Sequence, residues 1–247
     1  MELISIIIIS LIGFFVAVIA SMVGGSALLM VPALIFYGIP VQAAIGTNWI
    51  ADGFMCLTSS IKFYKDKNLK VRKILFFSVV SAASSLIGIT ILLKIDEKLL
   101  PKIISVIIIL ISVFLLIKNN FGIEKKKSRE NIFLVIIISS ALGAYGGFFG
   151  GGLGSLLMFA LIFLYGFNFI EAAANARFVE LIISIVIVAI FIFLGKFDKH
   201  VVIPYTIASG LGGWLGASVA TKIGNIWIKR IFIIISLIAG IKLFLGF

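Results

Sequence analysis

The chain has 247 residues, 62% of them apolar and only 13% charged, with 21 Lys and Arg against 10 Asp and Glu. Its mean hydropathy is +1.28. Soluble domains carry about 25% charged residues, so these figures exclude a soluble enzyme and, at the other extreme, a disordered chain; the fold class they predict is an all-α polytopic membrane protein.

In chain order, residues 3–23 form the first apolar stretch. They lack the basic start of a secretory signal, Glu2 being the only charge there, and read as a membrane helix. Crossing a bilayer core takes about 20 apolar residues in helix, and eight stretches qualify: 3–23, 43–64, 74–93, 99–117, 131–149, 170–194, 201–221 and 227–246. Two apolar pieces, 26–37 and 152–165, are too short to span alone. Each follows a glycine cluster, Gly24-Gly25 or Gly150-Gly151-Gly152, and ends at Tyr-Gly, so each is expected to be a re-entrant or broken helix. Between the halves lies the polar insert Lys118 to Glu130.

A shift of 128 residues lays the second half on the first. It matches Gly24 with Gly152, Met30 with Met158, Tyr37-Gly38 with Tyr165-Gly166, Ser81 with Ser209, Gly88 with Gly216 and Lys94 with Lys222. The expected organisation is a first membrane repeat, 1–120, a basic cytoplasmic loop, 121–130, and a second membrane repeat, 131–247. Duplicated halves with an interrupted segment at corresponding places are a pointer to a transporter's binding site.

The excess of cations, +11, sits mostly between apolar runs, where it reports orientation in a membrane and not affinity for nucleic acid. Loops 62–73 and 118–130 are the most basic and are placed in the cytoplasm of a multi-pass protein of the cell membrane. Re-entrant short segments would put loop 195–200 on that side too; crossing segments would put it opposite. Both arrangements leave 14 Lys and Arg inside and 6 outside. The length of the short pieces favours re-entry and eight full spans.

Chemistry is expected where polar groups interrupt the apolar runs. Helices starting at Gly24, Gly25 and Ser26 and at Gly151 and Gly152 would present unpaired N–H groups and a positive dipole end, which suit an anion. Asp52 and Glu180 correspond at the 128-residue shift and lie inside spans, where charge faces a cavity or a partner. Arg177 stands three residues before Glu180, on one helix face, close enough to pair with it. Arg177 is the candidate anion ligand and Asp52 or Glu180 the candidate proton carrier; a static ion pair is the plainer reading. Thr47, Asn48 and Asn175 offer hydrogen bonds to the same ligand, or cap the helices they open. Ser81, Ser85, Gly88 and Ser209, Gly212, Gly216 read as close helix packing.

Other chemistry finds little support. Cys56 is the one cysteine and His200 the one histidine, which leaves no disulfide within the chain; neither a metal nor a cofactor is expected, and no catalytic residue is assigned. There is no GxxxxGK[ST], HExxH or CxxC pattern.

Gly24-Gly25 followed by Leu28, Pro32, Gly38, Pro40, Ala44 and Gly46-Thr47 resembles the first-half signature of the sulfite exporter TauE/SafE family. Gly146-Gly147 and Gly150-Gly151-Gly152 through Gly166 resemble its repeated motif, with Asn175-Ala176 where a Gly-Thr-like pair would stand. The resemblance implies a permease for sulfur-containing anions such as sulfite or sulfonates, linked to protons and independent of ATP. Its partners would be that small anion and the lipid bilayer, with room for a homo-oligomer. An intramembrane enzyme acting on a lipid-linked substrate and a non-transporting membrane subunit are the alternatives.

Overall fold

The computed structural model describes residues 3–96, 98–99, 102–103, 106 and 131–220. Almost all of the expected span 99–117, and all of 118–130 and 227–246, lie outside the described residues. Within them the chain is helical, without strands: α1 (Leu3–Val23), α2 (Ser26–Phe36), α3 (Val41–Lys65), α4 (Val71–Lys94), α5 (Ile132–Phe148), α6 (Leu153–Tyr165), α7 (Phe169–Phe193) and α8 (Val202–Val219). Ile4–Val23, Val71–Lys94 and Phe169–Phe193 are long and apolar enough to cross a membrane on length and composition alone. The 25-residue α3 is long enough too, but Gln42, Asn48 and Asp52 lower its hydropathy.

Glycine makes the two short helices. Gly25 (φ 90°, ψ 31°) and Gly152 (φ 73°, ψ 3°) sit at the N-caps of α2 and α6 in the left-handed region, which other L-residues reach only with strain. The chain leaves α1, reverses there, and returns as α2. With 11 and 13 residues, α2 and α6 extend about 17 and 20 Å, short of the roughly 30 Å of a bilayer core.

Paired contacts fix the helix directions. Gly212 meets Phe14 and Ala17 of α1, and Gly216 meets Val18 and Ser21, so α1 and α8 run parallel. Asn48 meets Tyr205 and Thr58 meets Gly210, so α3 runs parallel to α8. Gly143 lies against Ser81 and Gly147 against Ser85, which makes α4 and α5 parallel. In contrast, Thr47 near the start of α3 meets Asp198 beyond the end of α7, while Asn175 near the start of α7 meets Lys70 beyond the end of α3. These two central helices are therefore antiparallel.

That result corrects the expected topology. Loops 66–70 and 194–201 lie at opposite ends of the α3–α7 pair, not on one side as the re-entrant reading with eight full spans requires. Hydropathy measures how long a segment is, but the direction of the next helix is set by the glycine reversal. Although short, α2 and α6 each return the chain, and α3 and α7, which correspond at the 128-residue shift, run in opposite directions.

The contacts of one half are echoed in the other. α1 packs on α8 as α5 packs on α4, α3 on α8 as α7 on α4, α2 on α3 as α6 on α7, and α1 on α2 as α5 on α6. The small residues expected to allow close packing do so in both pairs: Gly88 meets the Ala144 carbonyl, and Gly216 the Val18 carbonyl.

Candidate functional site

Where α3 and α7 cross, five buried side chains meet. Ser26 Oγ, in the first turn of α2, donates to Asp52 Oδ1 at 2.6 Å. On α7, Arg177 Nη1 pairs with Glu180 Oε2 at 2.6 Å across one helical turn. Cys56 Sγ donates to the same Glu180 oxygen at 3.5 Å, tying the two helices together. Arg177 is 1% exposed and Glu180 3%, so neither charge is relieved by water.

The glycine breaks converge on this cluster. At Gly24 an added Cβ would come within 2.6 Å of the Gly154 carbonyl carbon, so the α2 break touches the α6 break. Ser155 Oγ donates to the Val23 carbonyl at 2.5 Å, fastening the first turn of α6 to the end of α1. Gly154 lies directly under Arg177 Nη2, and a Cβ there would stand 2.8 Å from Glu180 Oε1. Gly150 lies under the Trp49 ring, 3.1 Å from Cε2 by the same measure. Gly151 is held by its carbonyl, which accepts from Tyr145 Oη at 2.5 Å.

Among the described residues, five buried side-chain atoms have no hydrogen-bond partner: Arg177 Nε and Nη2 and Trp49 Nε1, which lie at the α6 break, and Ser60 Oγ and Thr206 Oγ1. Buried donors are almost always paired. Leaving three unpaired at the start of one interrupted helix points to a ligand that supplies acceptors.

The expected site residues divide into two sets. Gly24, Gly25, Ser26, Gly152, Arg177, Asp52 and Glu180 gather at the crossing, with Gly151 in the adjoining turn. Thr47, Asn48 and Asn175 are engaged elsewhere. Thr47 Oγ1 accepts from the Asp198 amide at 2.8 Å, Asn175 Oδ1 from the Lys70 amide at 2.9 Å, and Asn48 Oδ1 from Tyr205 Oη at 2.8 Å. Thr47 and Asn175 do not cap their own helices: the cap of α7 is Asn168, which forms a capping box with Glu171, and the N-cap position of α3 is Pro40.

Two members of the cluster carry no role in the sequence reading. Cys56 reads there only as an unpaired thiol in an apolar run, and nothing in its neighbours signals that it reaches Glu180, 124 residues away. Trp49 was findable, since the 128-residue shift lays it on Arg177. Asp52, Cys56 and Glu180 also bring one ligand atom each within 4.8 Å of one another, a donor set compatible with a metal ion. Arg177 on Glu180 and Ser26 on Asp52 already occupy that set and place a cation beside it.

The chain is similar to known membrane transporter proteins. Residues 9–243 match the family described as sulfite exporter TauE/SafE. A "Probable membrane transporter protein" of Haemophilus influenzae is 30% identical over 233 residues, covering 94% of this chain and 91% of that one. "Probable membrane transporter protein YfcA" of Escherichia coli is 26% identical, covering 93% and 87%. "Probable membrane transporter protein YunE" of Bacillus subtilis is 24% identical, covering 97% of both. No solved structure matches the chain.

Proposed function

We propose that this chain, which belongs to the sulfite exporter TauE/SafE family, is a secondary transporter of a small sulfur-containing anion such as sulfite or an organosulfonate, coupled to protons. It sits multi-pass in the cell membrane as two inverted repeats, 1–120 and 131–247, joined by the basic segment 121–130. The matched helix contacts of the two halves support that division. The basic loops 62–73, with six Lys and Arg, and 118–130, with five, face the cytoplasm, and the counterpart of the first, 194–201, with only Lys196 and Lys199, faces outward.

The observation that carries the reading is Arg177, a buried guanidinium with two N–H groups unspent over the first turn of α6. The anion lies at that turn. Asp52 and Glu180 flank the same guanidinium, and two carboxylates beside one cation leave one negative charge in excess. A proton on either carboxylate removes that excess, and anion binding and proton uptake are thereby coupled. The halves rock about this site to expose it to each side in turn.

The test is flux in proteoliposomes loaded with sulfite or taurine, with and without an imposed pH gradient. Wild-type protein moves one of them and is stimulated by the gradient, while Arg177→Ala and Gly25→Leu stop the movement. Wild-type flux in both variants would show that the anion does not use this site.

A further inference from the structure

The three unpaired buried donors at the α6 break do not all belong to Arg177. We infer that Trp49 Nε1–H is a second ligand-binding donor, engaging the same oxyanion from the Gly150 end of the α6 break while Arg177 holds the Gly154 end. The inference rests on the anion-transport reading above and adds to it a residue from the opposite half.

Trp49 is 3% exposed, and its indole N–H has no partner among the described residues. An indole N–H can only donate, and a buried one is normally paired. Its ring packs on Gly150, where a Cβ would overlap Cζ2, so the absence of a side chain at that position lets the ring reach the break. Four residues on, Gly154 admits the Arg177 guanidinium in the same manner. The two donors thus stand over the two ends of one segment, Gly150 to Gly154, from which α6 starts.

The same pair is related by the duplication. Trp49 occupies in α3 the position that Arg177 occupies in α7, and each precedes by three residues the carboxylate of its own half, Asp52 or Glu180. One half supplies a charged donor and the other a neutral one. Two cations would overbind a small anion and hold it; a neutral N–H adds direction without adding charge. The unpaired groups at the two ends, Trp49 Nε1 and Arg177 Nε and Nη2, are all N–H donors, so the ligand must present an acceptor oxygen to each end. A trigonal or tetrahedral oxyanion does this with two of its oxygens, whereas a halide would have to serve both donors with one atom.

Trp49→Phe keeps a ring on Gly150 and deletes the N–H. Purified full-length protein in detergent is melted in the presence of sulfite, thiosulfate, sulfate, nitrate, phosphate, taurine or chloride, and the stabilising concentration of each is read for wild type and variant. At least one oxyanion raises the wild-type midpoint, and chloride does not. In Trp49→Phe the ligand-free midpoint stays within a few degrees of wild type while the half-saturating oxyanion concentration rises about tenfold or more, the range for one hydrogen bond to a charged partner. Equal oxyanion affinity in the two proteins overturns the role of Trp49 and leaves the anion site standing. Stabilisation of wild type by none of the oxyanions overturns both. If Trp49→Phe does not fold, Trp49→His, which restores an N–H on a smaller ring, must recover both folding and binding; folding without binding counts against the inference.

Discussion

Thr47 and Asn175 stand 128 residues apart and each binds a backbone amide of the opposite half, and those amides, of Asp198 and Lys70, are also 128 residues apart. Because α3 and α7 are antiparallel, one brace lies at each end of their crossing. Asn175 reinforces its brace by donating to the Asn68 carbonyl at 3.3 Å, and at the other end Gly46 lets α3 approach the Lys196 carbonyl.

Removing one acceptor should therefore loosen one end only. Thr47→Val leaves the Asp198 amide without its partner, and Asn175→Leu does the same to Lys70. Loss of one such part-buried bond costs about 1–1.5 kcal/mol. Hydrogen exchange should rise roughly tenfold or more at residues 196–201 in the first variant and at 67–71 in the second, each leaving the other loop unchanged. Faster exchange at both loops in either variant would mean that the braces are not separate.

The ion pair of Arg177 and Glu180 admits a sharper test of use against mere packing. Breaking a buried pair by removing one partner costs about 3–5 kcal/mol, whereas replacing both with apolar groups of similar size is often neutral. Glu180→Leu alone should unfold the protein in mild detergent. Arg177→Met with Glu180→Leu should recover a wild-type melting midpoint and still carry no anion. Flux in that double variant would reduce the pair to a structural contact.

Segment limits were readable from apolar run length because the bilayer demands it: 3–23 is α1, 26–37 is α2 with one residue added at its end, and 152–165 is α6 with one added at its start. Asp52, Arg177 and Glu180 stood out because charge inside a span needs a reason. Direction was not readable. The Lys and Arg count came to the same figure for both topologies, since Lys196, Lys199 and Lys242 change sides against Lys222, Lys229 and Arg230, three cations for three. The roles of Thr47 and Asn175 were hidden as well. A side chain one turn and a half into a helix looks the same in sequence whether it faces a ligand or the neighbouring loop, and their partners are 151 and 105 residues away.

Coupling should be separable from movement. Asp52 accepts from Ser26, and Glu180 faces Arg177, so the two carboxylates are held differently although the duplication relates them. Asp52→Asn keeps the acceptor oxygen for Ser26 and removes the charge. It should retain exchange of sulfite driven by its own gradient within a few-fold of wild type, and lose all stimulation by a pH gradient. Counterflow and gradient-driven uptake, measured on the same vesicles, check this. If stimulation persists in Asp52→Asn and disappears in Glu180→Gln, the proton is carried on α7.

Two neighbouring glycines on α5 give the last prediction, which concerns the fit between the halves. Both are buried. At Gly147 an added Cβ would overlap the Ser85 carbonyl oxygen and stand 2.9 Å from the Ile89 amide nitrogen, backbone that cannot move without shifting α4. At Gly146 the same methyl would meet only the end of Leu153, 2.9 Å from Cδ2, which can turn to another rotamer. Helix propensity favours Ala over Gly at both positions by up to about 1 kcal/mol. Overpacking at Gly147 outweighs that gain by about 1–3 kcal/mol or more, since α4 and α5 must separate. Gly146→Ala should melt at or slightly above wild type, and Gly147→Ala several degrees below it, with matching loss of folded protein on extraction. The same melting temperature for the two variants would show that α4 and α5 do not touch backbone to backbone there, and would remove the contact that, with Gly216 on Val18, makes the outer helix pairs of the two halves alike.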